Sequence, residues 1–161
     1  MEAIVKVNMG DYKTCDVSQK ITTIGLGSCV GVVLYDTVNK KCGMLHAMLP
    51  DSTRIRNNMN RMKFVDTGLE DLIALMIKEG AVKRRMIAKL AGGAKMFDFG
   101  GDSDEGRIGF QNVQATKEHL AKYGIPIVAE DTGDSYGRTI VFDPAKNELE
   151  IKTIGKPVRI I

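Results

Sequence analysis

The stretch Leu26–Pro50, "LGSCVGVVLYDTVNKKCGMLHAMLP", decides how this chain is organised. Its first part, "CVGVVLYD", is apolar and β-branched and reads as a mostly buried strand. Asp36, Asn39 and two lysines then supply turn chemistry. "CGMLHAMLP" is apolar again, ends at a proline and reads as the return strand of a hairpin. In an antiparallel hairpin the numbers of directly paired residues have a constant sum, and paired side chains share a face. A turn centred near Val38 makes that sum about 75 to 77. An odd sum puts Cys29 and His46 on one face, directly opposite or one pair displaced; an even sum puts them on opposite faces.

Working outward, "AIVKV" (Ala3–Val7) and "KITTIG" (Lys20–Gly25) read as strands before the hairpin. Beyond it, "DSTRIRNNMNRMKF" is polar and reads as an exposed loop entering a helix. From Phe64 to Glu79 the residues Val65, Leu69, Leu72, Ile73, Met76 and Ile77 follow helical spacing, with Gly80 placed as C-cap. "RMIAKLAGGAKMF" reads as a strand running into a glycine turn, and "FGGDSDEGRIG" as a loop. A second helix is expected to start near Asn112, with Asn112 as N-cap, and to carry Val113, Thr116, Leu120 and Tyr123 on one side until Gly124 closes it. "IPIVAED", "RTIVFD" and "ELEIKTI" read as three further strands joined by turns. Hairpins at both ends break any regular βαβαβ alternation. The expected fold class is therefore mixed α/β or α+β, with helices packed on sheets in a single domain spanning residues 1–161.

Composition narrows the function. The chain has 161 residues, enough for one ordinary domain with a real core, and 43% of them are apolar. No apolar run approaches the roughly 18–20 residues of a membrane span. The N-terminus lacks the basic and apolar regions of a signal peptide, so the expected location is the cytoplasm. The net charge of +3 is mild, aromatics are 6% of residues and Trp is absent, which argues against a base-stacking surface for nucleic acid. The cluster Lys83, Arg84 and Arg85 reads as a solvated loop, with an acidic partner protein as the alternative. Three cysteines, Cys15, Cys29 and Cys42, do not suit a disulfide framework. No Walker lysine motif or GxGxxG opening a helix is present.

Cys29 follows small residues and is brought towards His46 by the hairpin, an arrangement that suits a nucleophile and its base. A thiol is mostly protonated at neutral pH, and the thiolate is the attacking species. An imidazole can take that proton and later give it to a leaving amine. A third group must orient the ring: Thr23, through its hydroxyl or carbonyl, with Asp51 and Asp36 as alternatives. Backbone N–H groups at Gly27, Ser28 and Cys29 are candidate donors to an oxyanion. Against this stands simple packing, because free cysteine is among the most buried residue types, and His46 between Leu45 and Ala47 reads equally as a hydrogen-bonded core histidine. Cys42 and His46, joined by Cys15 or Cys29, could alternatively hold zinc, although no CxxC pair is present. His119, beside Glu118, reads as a surface residue.

"LGSCVGVVLYD", "GMLHAMLP", "GGAKMF" and "IGFQNVQATKEHLAKYGIPIVAEDTGDSYGRTIVFD" together resemble the CheD family, the chemoreceptor glutamine deamidases of bacterial chemotaxis. The resemblance covers nearly the whole chain and keeps the order of the motifs. It implies that Cys29 is the nucleophile, His46 the base and Thr23 the third member. It implies packed β-sheets flanked by helices, as in cytotoxic-necrotizing-factor-type cysteine deamidases. It further implies conversion of receptor glutamines to glutamates without metal or cofactor, with hydrolysis of receptor glutamate methyl esters as a further activity of some members. The implied partners are the cytoplasmic helices of methyl-accepting chemotaxis receptors and the phosphatase CheC, the chain being a monomer or a heterodimer with CheC. A regulatory binding module with secondary catalysis is the alternative. Partner contacts are expected at the loop Asp51–Asn60 and at "FGGDSDEG".

Overall fold

The hairpin anticipated within Leu26–Pro50 forms, and it lies at the centre of a sheet. In the computed structural model, which describes residues 3–55, 60–96 and 107–161, its strands are β4 (Val30–Asp36) and β5 (Cys42–Ala47). Before it run β1 (Ala3–Val7), β2 (Asp11–Cys15) and β3 (Gln19–Leu26). After it come α1 (Val65–Lys78), β6 (Met86–Gly92), α2 (Ile108–Tyr123), β7 (Ile127–Thr132), β8 (Arg138–Asp143), β9 (Glu148–Lys152) and β10 (Arg159–Ile160). Among the described residues these strands form two five-stranded sheets, ordered β1-β3-β8-β9-β10 and β2-β5-β4-β6-β7. The fold class is α+β, two packed sheets with the helices on one outer face.

Every residue of β4 and β5 is buried because both of their faces are covered. One face carries Val30, Val32, Leu34, Leu45 and Ala47 and packs with Val65, Leu69, Leu72 and Met76 of α1 and with Val113 and Leu120 of α2. The other carries Val33, Tyr35, Cys42 and Met44 and meets Ile21, Leu26, Ile140 and Phe142 of the second sheet. A central strand in such a sandwich of sheet and helix reads as a continuous apolar run, as "VGVVLYD" does. β8, covered on one face, alternates buried and half-buried residues instead.

Three elements differ from the sequence reading. β2 ("DYKTC") is polar and only its last residue is buried, so it carries little apolar alternation; it forms by adding to the edge of β5. β10 is a two-residue exposed strand held by β9. The second helix begins at Ile108 with Arg107 as N-cap, not at Asn112. Asn112 is fully buried in the second turn of that helix, so it has no terminal N–H groups to cap. The first helix matches its expected span, with Glu79 as C-cap and Gly80 just beyond at φ +105°.

Candidate active site

Cys29 precedes β4, in a bend formed by Gly27, Ser28 and Cys29. All three carbonyls of this bend are held by donors from beyond β6. Ala94 N–H donates to Gly27 O at 2.9 Å, Gly93 N–H to Cys29 O at 2.9 Å, and Asn112 Nδ2 to Ser28 O at 2.9 Å. Asn112 Nδ2 also donates to Met48 O, at 3.1 Å, and so ties the start of β4 to the end of β5. The close approach of the two segments depends on Gly92, whose φ is +101°; a β-carbon there would stand 2.4 Å from Cys29 O.

The hairpin register decides the parity question. Val30 pairs with Ala47 and Gly31 with His46, a sum of 77, which is odd. Cys29 therefore shares the inter-sheet face with Gly31 and His46 and is a diagonal neighbour of the histidine. That face is where Thr23 arrives from the other sheet.

Thr23 lies in β3, paired with Val7 of β1 on one side and Ile140 of β8 on the other. Its hydroxyl donates to Val7 O at 2.8 Å, and its oxygen lies 2.7 Å from His46 Nδ1. With the one hydroxyl proton committed to Val7, the short contact requires Nδ1 to carry the proton and donate. The ring is thereby set in the tautomer that leaves Nε2 as a bare acceptor. Nε2 is buried and has no hydrogen-bond partner among the described residues. Burial of His46 pulls its pKa down to about 4, so the ring is neutral at physiological pH. Burial likewise pushes the Cys29 thiol up, with its own backbone N–H acting in the opposite direction. At rest the Cys29 thiol and the His46 imidazole are both neutral.

The alternatives from sequence fall elsewhere. Burial would raise the pKa of Asp36, but the Arg85 guanidinium at 2.8 Å and the N–H groups of Val82, Val38 and Asn39 hold it down at about 2. It ties the hairpin turn to the segment preceding β6. Lys83 and Arg84 are exposed, as the sequence reading expects, whereas Arg85 departs from it, being committed to a buried carboxylate. Asp51 caps a short 3₁₀ turn, accepting from Thr53 N–H at 2.9 Å. Neither aspartate orients His46. Cys15 and Cys42 face each other across β2 and β5 with sulfurs 3.1 Å apart. No group of three His, Cys, Asp or Glu side chains converges among the described residues, so the zinc arrangement is not assembled there. His119 is half-buried beside Asp51 and Glu118 in a surface hollow. "FGGDSDEG" and residues 56–59 of the Asp51–Asn60 loop lie outside the described residues. No helix among the described residues is long and apolar enough to cross a membrane.

The profile of the family described as "CheD chemotactic sensory transduction" matches residues 48–153. The chain belongs to the CheD family. It is 52% identical over 161 residues to a probable chemoreceptor glutamine deamidase CheD of Lachnoclostridium phytofermentans, covering 100% of both chains. It is 55% identical over 158 residues to the protein of that name from Caldanaerobacter subterraneus subsp. tengcongensis, covering 98% of each. The chemoreceptor glutamine deamidase CheD of Halalkalibacterium halodurans is 48% identical over 155 residues, covering 96% of each. Among solved structures, a Neisseria meningitidis protein of the DUF152 family shares the fold, with a TM-score of 0.53 at 12% identity. That match covers 82% of this chain and 64% of the Neisseria protein.

Sequence reading placed Cys29, His46 and Thr23 on elements that the fold brings to one face, and it missed Asn112. An asparagine in the apolar face of a helix, between Gly109 and Val113 and in line with Thr116, was the available signal, because a buried amide needs partners.

Proposed function

We propose that the chain is a protein-glutamine glutaminase acting on chemoreceptors through a Cys29 thiol mechanism, in line with the names of its CheD relatives. The observation that carries the mechanism is the 2.7 Å contact between Thr23 Oγ1 and His46 Nδ1, which leaves Nε2 free on the face that carries Cys29.

As the glutamine carboxamide approaches, His46 Nε2 takes the thiol proton and Cys29 Sγ bonds to the carboxamide carbon. The carbonyl electrons move to oxygen, and backbone donors in the Gly27–Cys29 bend stabilise the oxyanion. Collapse of the adduct breaks the C–N bond, with the Nε2 proton going to the leaving nitrogen as ammonia departs. A γ-glutamyl thioester remains on Cys29. His46 Nε2 then takes a proton from water and the hydroxide attacks the thioester carbon; the C–S bond breaks, the Nε2 proton returns to sulfur to regenerate the thiol, and glutamate is released. No redox step or cofactor is needed for this balance. A glutamate methyl ester offers the same acyl carbon with methanol as leaving group, so esterase activity would share the site.

The test is ammonia release and conversion of amide to acid in a chemoreceptor cytoplasmic fragment, followed by peptide mass. The wild-type chain is expected to turn over and Cys29→Ala to be inactive. Turnover by Cys29→Ala would sink the mechanism. Tight binding of the fragment by wild type without turnover would favour a regulatory module instead.

A further inference from the structure

We infer that Asn112 is a positioning residue for the reaction, which aims the backbone N–H of Cys29 at the oxyanion. This rests on the reading of Cys29 as nucleophile.

The argument starts from the peptide unit joining Ser28 and Cys29. It is trans, as are the other described peptide bonds, so Ser28 C=O and Cys29 N–H point in opposite directions in one plane. Asn112 Nδ2 holds that carbonyl at 2.9 Å from the α2 side. The N–H is therefore turned away from α2, towards the inter-sheet face on which Cys29 packs. An oxyanion formed on a carbon bonded to Sγ would lie two bonds beyond the sulfur, on the side to which the same donor points.

Asn112 has a particular place in this bend. The carbonyls on either side, of Gly27 and Cys29, are held by backbone N–H groups of Ala94 and Gly93, and only the middle one is held by a side chain. The amide is fully buried and its orientation is fixed by chemistry: both bonds run to carbonyl oxygens, Ser28 O and Met48 O, which need a donor. Its own oxygen has no partner among the described residues. A buried, half-satisfied amide is a poor choice for packing alone, so the value of the residue lies in the two donors it sends to the ends of β4 and β5. Cys29 immediately precedes the first of those strands and His46 lies in the second.

The test compares two chemistries at one sulfur. Deamidation passes through an oxyanion, whereas alkylation of Cys29 by iodoacetamide displaces iodide at a saturated carbon and forms none. Asn112→Ala, and Asn112→Ser as a second variant, are assayed for deamidation of the receptor fragment and for Cys29 alkylation across pH. The expected result is a fall in kcat of about 10- to 100-fold with KM unchanged and alkylation retained, its pH profile displaced only towards alkaline pH because the same N–H also lowers the thiol pKa. Retention of kcat within about threefold would overturn the inference. A parallel loss of alkylation would also overturn it, because Asn112 would then only maintain the shape of the bend. Failure of both variants to fold would likewise reduce the residue to architecture and end the proposal. Failure of the nucleophile assignment is separately visible: turnover would survive Cys29→Ala, whatever the Asn112 variants do.

Discussion

Thr23 Oγ1 stands 2.7 Å from His46 Nδ1 while donating its proton to Val7 O at 2.8 Å, so a residue of one sheet fixes the tautomer of a residue in the other. Thr23→Ala removes the acceptor for Nδ1–H and the donor to Val7 O. It is expected to lower kcat by about tenfold or more and to cost stability of about 1–3 kcal/mol for the stranded buried groups. Thr23→Ser keeps the hydroxyl and should restore most of both. Steady-state kinetics with urea unfolding decides; a serine variant no better than alanine would rule out the hydroxyl as the orienting group.

His46 makes folding pH-dependent. Its folded pKa of about 4 lies below the ordinary 6.5, so the unfolded chain binds more protons between those values. Stability from the neutral buried ring is complete above pH 6.5 and is lost as pH falls towards 4, amounting to about 3 kcal/mol over that window. Urea midpoints of wild type should therefore drop over that window more steeply than those of His46→Asn. Equal slopes in the two proteins would contradict a buried neutral imidazole.

Gly92 and Gly25 provide an internal comparison. Both have positive φ, +101° and +76°. A β-carbon at Gly92 would meet Cys29 O at 2.4 Å, whereas one at Gly25 would meet nothing within 4 Å. Gly25→Ala is expected to cost only backbone strain, about 1 kcal/mol. Gly92→Ala adds a backbone clash and should cost about 2–4 kcal/mol, with deamidation falling as well. Thermal melts and turnover of the two variants test this; comparable losses would show that the approach of Gly92 to Cys29 is not tight.

The three thiols should react in a fixed order. Cys29 is 9% exposed, whereas Cys15 is 3% and Cys42 fully buried, and those two face each other. In the native protein iodoacetamide should modify Cys29 first, at a rate rising towards alkaline pH because burial raises the thiol pKa. Peptide mapping after brief labelling gives the answer. First modification at Cys15 or Cys42 would be incompatible with this packing.

Much of this was legible in the sequence because it is local. The apolar runs of β4 and β5 and the polar turn between them fixed the hairpin, and helical spacing fixed α1. The resemblance to the CheD family named Cys29, His46 and Thr23. Polar β2 was missed because its strand state comes from the neighbour it pairs with and not from its own alternation. Asn112 was misread as a cap because asparagine at a helix start and asparagine buried within one look alike until the helix start is known.

Sequence by itself determined the α+β class, the hairpin and the family, since these follow from local pattern and residue identity. Tertiary structure alone decided three things. The register sum of 77 put Cys29 and His46 on one face. The packing of one sheet on the other brought Thr23 to Nδ1 and left Nε2 bare. The seating of α2 on β4 and β5 turned Asn112 onto Ser28 O. Side-chain parity and hydrogen-bond direction depend on how strands and layers meet, and a one-residue slip would reverse them.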